Sequence, residues 1–110
     1  MNFQVNLTPD FERQFKRLAK KYRSLPQDLS KLISSLSNDP NQGVALGGKL
    51  FKIRMSISSK GKGKSGGARV ITFVVVNQKE VYLIAIYEKG EIDNLTKEEI
   101  IYLLKRSGLG

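Results

Sequence analysis

Hydrophobic and polar positions recur at recognisable periods along most of this chain. Residues 3–7 alternate, Phe3, Val5 and Leu7 being separated by Gln4 and Asn6, and this period of two predicts a short strand. Thr8-Pro9-Asp10 then opens a helix, with a capping hydroxyl, a proline at the first helical position and an early acid. Phe11, Phe15, Leu18, Ala19 and Tyr22 fall on one face of that helix and the basic residues on the other. A second helix follows Ser24-Leu25-Pro26, carries Leu29, Leu32, Ile33 and Leu36 on one stripe, and stops near Asn38-Asp39-Pro40. So short a connection predicts an antiparallel helical hairpin.

From Leu50 the period changes to two. Phe51, Ile53, Met55 and Ile57 point one way, and Leu50, Lys52, Arg54 and Ser56 the other. Residues 60–67 form a glycine-and-lysine loop, residues 68–76 a second strand rich in β-branched side chains, and Asn77-Gln78-Lys79-Glu80 a turn. Residues 81–87 are apolar on both faces, as a central strand would be, and strict alternation places Tyr82 and Tyr87 on opposite faces of it. Thr96-Lys97-Glu98-Glu99 reads as a capping box for a last helix, with Ile100, Leu103 and Leu104 inward. Tyr22 and Tyr102 lie near apolar helix faces and are assigned to core or interface. The order is β-α-α-β-β-β-α. Short connections favour antiparallel pairing, and the expected fold is a single small α+β domain over residues 1–110, an antiparallel sheet with the N-terminal helical hairpin and its other helix on one face.

Composition narrows the chemistry. The 110 residues include no cysteine and no histidine. A disulfide scaffold, a thiolate zinc site, a cysteine nucleophile, a Ser-His-Asp triad and an imidazole base are all excluded. Only carboxylates remain as metal ligands, in a chain whose net charge of +9 repels free cations. No apolar run of membrane-spanning length exists and the N-terminus lacks the pattern of a signal peptide, so the expected location is cytoplasmic, with no membrane partner.

Charge is unevenly distributed. Residues 13–31 hold seven bases and one acid, residues 49–69 hold seven bases and no acid, and residues 80–99 reverse the sign with six acids against two bases. A polyanionic partner is the natural reading of the basic segments. Gly61, Gly63 and Gly66 satisfy G-x-G-x-x-G, and Gly63-Lys64-Ser65 resembles the end of a P-loop, but both motifs must lead into a helix and here lead from strand to strand. The loop reads instead as a basic hairpin connection in which Lys60, Lys62 and Lys64, with Lys49 nearby, would contact phosphates. Lys52 and Arg54 lie two apart on one strand face, Arg69 opens the next strand, and Lys89 follows the last; paired strands would bring these cationic heads together as an anion site.

Phe15-Lys16-Arg17-Leu18, Leu50-Phe51-Lys52-Ile53-Arg54, the segment from Gly61 to Ile71 and Ile84-Ala85-Ile86-Tyr87-Glu88-Lys89-Gly90-Glu91 together resemble the RelE/ParE superfamily of toxins from toxin–antitoxin pairs, most of all its RelE and HigB-like branch. The resemblance covers essentially the whole chain. It implies an mRNA interferase acting on the ribosome, no metal and no small-molecule cofactor, and a cognate acidic antitoxin that wraps the toxin. It assigns catalysis to Lys52, Arg54, Arg69 and Lys89. Residues 94–98 read Asn-Leu-Thr-Lys-Glu where the family carries a tyrosine, so Glu88 and Glu91 stand as fallback bases. The inventory suits such chemistry. RNA brings its own 2′-hydroxyl nucleophile, arginines clamp phosphate through paired charge-assisted bonds, and a lysine crowded by cations releases its proton more readily. Two other functions fit the same residues: a ParE-like gyrase inhibitor, which acts through protein contacts and would survive loss of Arg69, and a non-catalytic RNA- or ribosome-binding module.

Overall fold

The computed structural model of the chain describes residues 2–61, 63, 66–91 and 95–109. Strand β1 (Gln4–Leu7) leads into helix α1 (Pro9–Lys21) and helix α2 (Leu25–Asn38). Strands β2 (Val44–Gly47), β3 (Leu50–Met55), β4 (Ala68–Val75) and β5 (Glu80–Glu88) follow, and helix α3 (Lys97–Arg106) closes the chain. The strands form one five-stranded sheet in the order β1-β5-β4-β3-β2. The three pairings among β2, β3, β4 and β5 are antiparallel, while β1 lies parallel to β5. The helical hairpin makes this possible, carrying the chain across one face so that β1 and β5 run the same way.

The caps anticipated at α1 and α3 are present. Thr8 Oγ1 accepts from the Phe11 amide at 3.2 Å and donates to the Leu83 carbonyl at 3.1 Å, so the first turn of α1 is fastened to β5. At α3 the Thr96 hydroxyl accepts from the Glu99 amide at 3.1 Å, and the Glu99 carboxylate accepts from the Thr96 amide at 2.7 Å.

One core lies between the helical hairpin and the sheet. Phe11, Leu18, Leu25 and Leu36 from the helices meet Ile53, Val70, Leu83 and Ile86 from the strands and Ile57 just past β3. Each such fully buried side chain contributes roughly 2 kcal/mol of transfer free energy. The second core is where the structure departs from the single-face expectation. Helix α3 packs Ile100 and Leu104 on the opposite face, against Leu50, Ile71, Ile84, Ala85 and Tyr87. With apolar groups on both faces, β4 and β5 need cover on each. Arg106 of α3 closes the structure with an ion pair to Asp10 of α1 at 3.1 Å.

Three further differences have identifiable causes. Strand β2 was not anticipated, because four residues at a sheet edge with mostly exposed side chains carry no periodic signal. It joins β3 through Gly48 and Lys49, both at positive φ (61° and 69°), as a tight primed hairpin turn requires. In β5, Ala85 opposes Ile71 while Leu83 opposes Thr72, so Ile84 is an extra residue at a bulge. The bulge shifts the alternation by one, and Tyr82 and Tyr87 end on the same face, the one covered by α3. Tyr102, assigned to core or interface, lies outside the core at 60% exposed, with Arg106 over its ring.

Candidate active site on the α3 face of the sheet

The pairing register assembles the site. Arg54 of β3 opposes Arg69 of β4, and Arg69 opposes Tyr87 of β5, so the three stand in one row across the sheet. Lys52, two residues back along β3, opposes Ile71 and lies on the same face, with Leu50 at the strand's start. Hydrophobic cover on this face, from Leu50 and Ile71 to Ile100 and Leu104, stops short of Arg54, which is exposed, and Lys52, which is half-buried.

Arg69 is only 8% exposed, and one of its guanidinium nitrogens donates to the Ala68 carbonyl at 3.3 Å. A buried arginine with part of its donor fork fixed to the backbone is oriented before any ligand arrives, which reduces the ordering cost of gripping a phosphate. Beside it the Tyr87 hydroxyl is buried near the Leu95 backbone, with no hydrogen bond of normal geometry among the described residues. Burial pushes the Tyr87 phenol up, and the Leu95 backbone and then the Arg69 charge pull it only part of the way back, so the group remains a neutral O–H near pH 7. Sequence reading left Tyr87 outside the site, assigning it to packing rather than to stacking on a base.

Glu88, one residue further, sits on the helical-hairpin face and is also buried. Its carboxylate accepts from Lys21 Nζ at 3.1 Å, from Lys60 Nζ at 2.7 Å and from the Tyr22 hydroxyl. Burial alone would raise its pKa, but these donors outweigh it and hold the group down at about 2. Glu91 takes a forked pair of bonds from Arg17, at 2.9 and 3.3 Å, and this pairing lowers its pKa too. The structure therefore does not bring the two fallback bases to the arginine row. Both are ion-pair acceptors that tie α1 to the end of β5.

The expected RNA-contacting lysines also separate. Lys60 is turned toward Glu88, with its side chain only 18% exposed, and lies away from Arg54 and Arg69. Lys49 is exposed in the β2–β3 turn, five residues from Arg54 along the strand and about 16 Å away at strand spacing. Lys62 and Lys64 lie outside the described residues. Lys89 is exposed just past β5, where its amide donates to the Gly67 carbonyl at 3.1 Å, and alternation from Tyr87 directs it to the site face.

A pre-oriented arginine, a second arginine across the strand pair and a nearby lysine form a candidate anion site set into a small α+β domain. The family model for the RelE toxin of the RelE/RelB toxin–antitoxin system matches residues 10–108, and the chain belongs to that family. Solved structures agree at the level of the fold. Over 96% of this chain and 98% of the other, it is similar to a mutant of the E. coli toxin RelE in the free state, with 16% identity and a TM-score of 0.65. The isolated E. coli RelE toxin matches 94% of this chain and 97% of its own, at 14% identity and a TM-score of 0.60. The RelBE2 toxin–antitoxin complex of Mycobacterium tuberculosis matches 81% of this chain and 93% of its own, at 15% identity and the same TM-score of 0.60.

Proposed function

We propose that this toxin is an endoribonuclease that cleaves mRNA on the ribosome by attack of the RNA's own 2′-hydroxyl. The observation that carries the proposal is the pairing of Arg54 with Arg69 on the open part of the sheet, with Lys52 on the same face. In the reaction the 2′-oxygen attacks the adjacent phosphorus, the bond to the 5′-oxygen breaks, and a cyclic phosphate and a 5′-hydroxyl result. Charge accumulates on the non-bridging oxygens, where two guanidinium groups stabilise it through charge-assisted bonds. Lys52 takes the proton of the 2′-hydroxyl, and Lys89 supplies one to the departing oxygen. The ribosome aligns the strand, which accounts for a site with few side chains able to position RNA alone.

The partner that silences such a toxin is an acidic antitoxin. A chain of net charge +9 favours it electrostatically, and an antitoxin accompanies the toxin in the M. tuberculosis complex. Primer extension on mRNA in a purified translation reaction, with and without ribosomes, tests the activity. Ribosome-dependent cuts that fall at least 100-fold in Arg69→Ala are expected, about 3 kcal/mol of transition-state stabilisation. Growth arrest without cuts, or cuts indifferent to Arg69→Ala, would overturn the assignment.

A further inference from the structure

A groove of about 800 Å³ runs between α2 and β3. Strand β2 borders β3 only as far as the Val44–Lys52 pair, and beyond it, among the described residues, the edge from Ile53 to Met55 has no strand beside it. The groove takes Lys31 and Ser35 from α2, Gln42 from the connection to β2, and Lys52 and Arg54 from β3, so it reaches the arginine row at Arg54 on the β3 edge. Leu32 and Val44 add apolar surface.

Two features specify the occupant. The first is charge. Three cations line the groove against one carboxylate, Asp28. That carboxylate is satisfied internally, by the Ser24 hydroxyl at 2.8 Å, the Ser58 amide at 2.9 Å and the Ser58 hydroxyl at 2.5 Å. The second is the Gln42 amide. Its nitrogen donates to Ser35 Oγ at 2.7 Å and to the Asp39 carbonyl at 2.8 Å. With the donors engaged, the side chain offers its carbonyl oxygen as an acceptor. The volume lies in the range of pockets that hold one small organic group, roughly 300–1,000 Å³.

We propose that this groove is a nucleotide subsite, seating the nucleotide that flanks the phosphate gripped by Arg54 and Arg69. Lys31 neutralises that nucleotide's backbone, the apolar surface receives the base, and the Gln42 carbonyl accepts from a base N–H. The inference rests on the RNA-cleaving reading and extends it to sequence preference. Neither Lys31 nor Gln42 belongs to the residues that perform the chemistry.

The test is binding of the full chain to fluorescent single-stranded RNA octamers, 2′-O-methylated so that no cleavage can occur, with equal thermal midpoints required of all variants. Lys31→Ala is expected to weaken binding several-fold and to flatten the log–log salt dependence by about 0.7. Gln42→Leu should reduce discrimination among octamers that differ at one flanking base by roughly three- to tenfold, the worth of one hydrogen bond. If Arg69→Ala weakens binding while Lys31→Ala and Gln42→Leu change neither slope nor ranking, the subsite is overturned and the sheet site stands. If wild-type protein fails to bind the octamers, the subsite is overturned, while the RNA-cleaving reading is decided separately by primer extension on the ribosome. If an acidic peptide, but not RNA, loses affinity in Lys31→Ala, the groove is a strand-docking edge and the nucleotide assignment is wrong.

Discussion

Replacing Glu88 by glutamine removes one charge from a buried cluster and leaves the side chain's size unchanged. Glu88 is 7% exposed and receives Lys21, Lys60 and the Tyr22 hydroxyl at once, joining the end of α1, the start of the basic loop and the last residue of β5. Its pKa of about 2 lies well below the ordinary 4.5. At about 1.4 kcal/mol per unit this corresponds to roughly 3 kcal/mol of folding stability. Lys21, 62% exposed, contributes the least of it because solvent screens that pair. A carboxylate with a depressed folded-state pKa stabilises above its unfolded pKa, and the stabilisation is lost as pH falls through the folded one. The wild type should therefore lose about 2–3 kcal/mol between roughly pH 5 and pH 2 that Glu88→Gln never had. Urea titrations of both proteins across that range measure it, with Glu91→Gln as an exposed control expected to cost less than about 1 kcal/mol. Equal stability at pH 7, or parallel pH profiles for wild type and Glu88→Gln, would refute the reasoning.

Two further outcomes follow from single atoms. Tyr87→Phe deletes a buried hydroxyl with no hydrogen bond of normal geometry among the described residues, so stability in a denaturant titration should hold or rise by about 1 kcal/mol; a loss larger than that would mean the hydroxyl is satisfied in solution. Gly67→Ala places a Cβ against the backbone carbonyl of Met55, where the root of the basic loop crosses β3; thermal unfolding should show destabilisation by more than about 2 kcal/mol.

Much of the architecture is legible in periodicity. The two helices of the hairpin, the strand that carries Lys52 and Arg54, the strand opened by Arg69 and the capped last helix follow from apolar spacing and capping residues, which act within a few residues of each other. The convergence of Arg54 and Arg69 was legible too, because a hairpin with a known alternation leaves little choice of face. Local sequence is silent wherever a partner far along the chain sets the outcome. The parallel pairing of β1 with β5 depends on where the helical hairpin deposits β4 and β5. The edge strand β2 exists because β3 offers it hydrogen bonds.

The bulge at Ile84 makes the point most sharply, since one unpaired residue moves Tyr87 across the sheet to stand beside Arg69. Glu88 then faces the helical hairpin, where three donors turn an expected fallback base into a buried tie. The sequence by itself determined the elements other than β2, the charge and the pairing of two arginines, all of which follow from interactions between near neighbours. Tertiary structure decided which acids and which lysines could join them, because side chains beyond a shift in register, or claimed by an ion pair, have their direction set by the packing of distant segments.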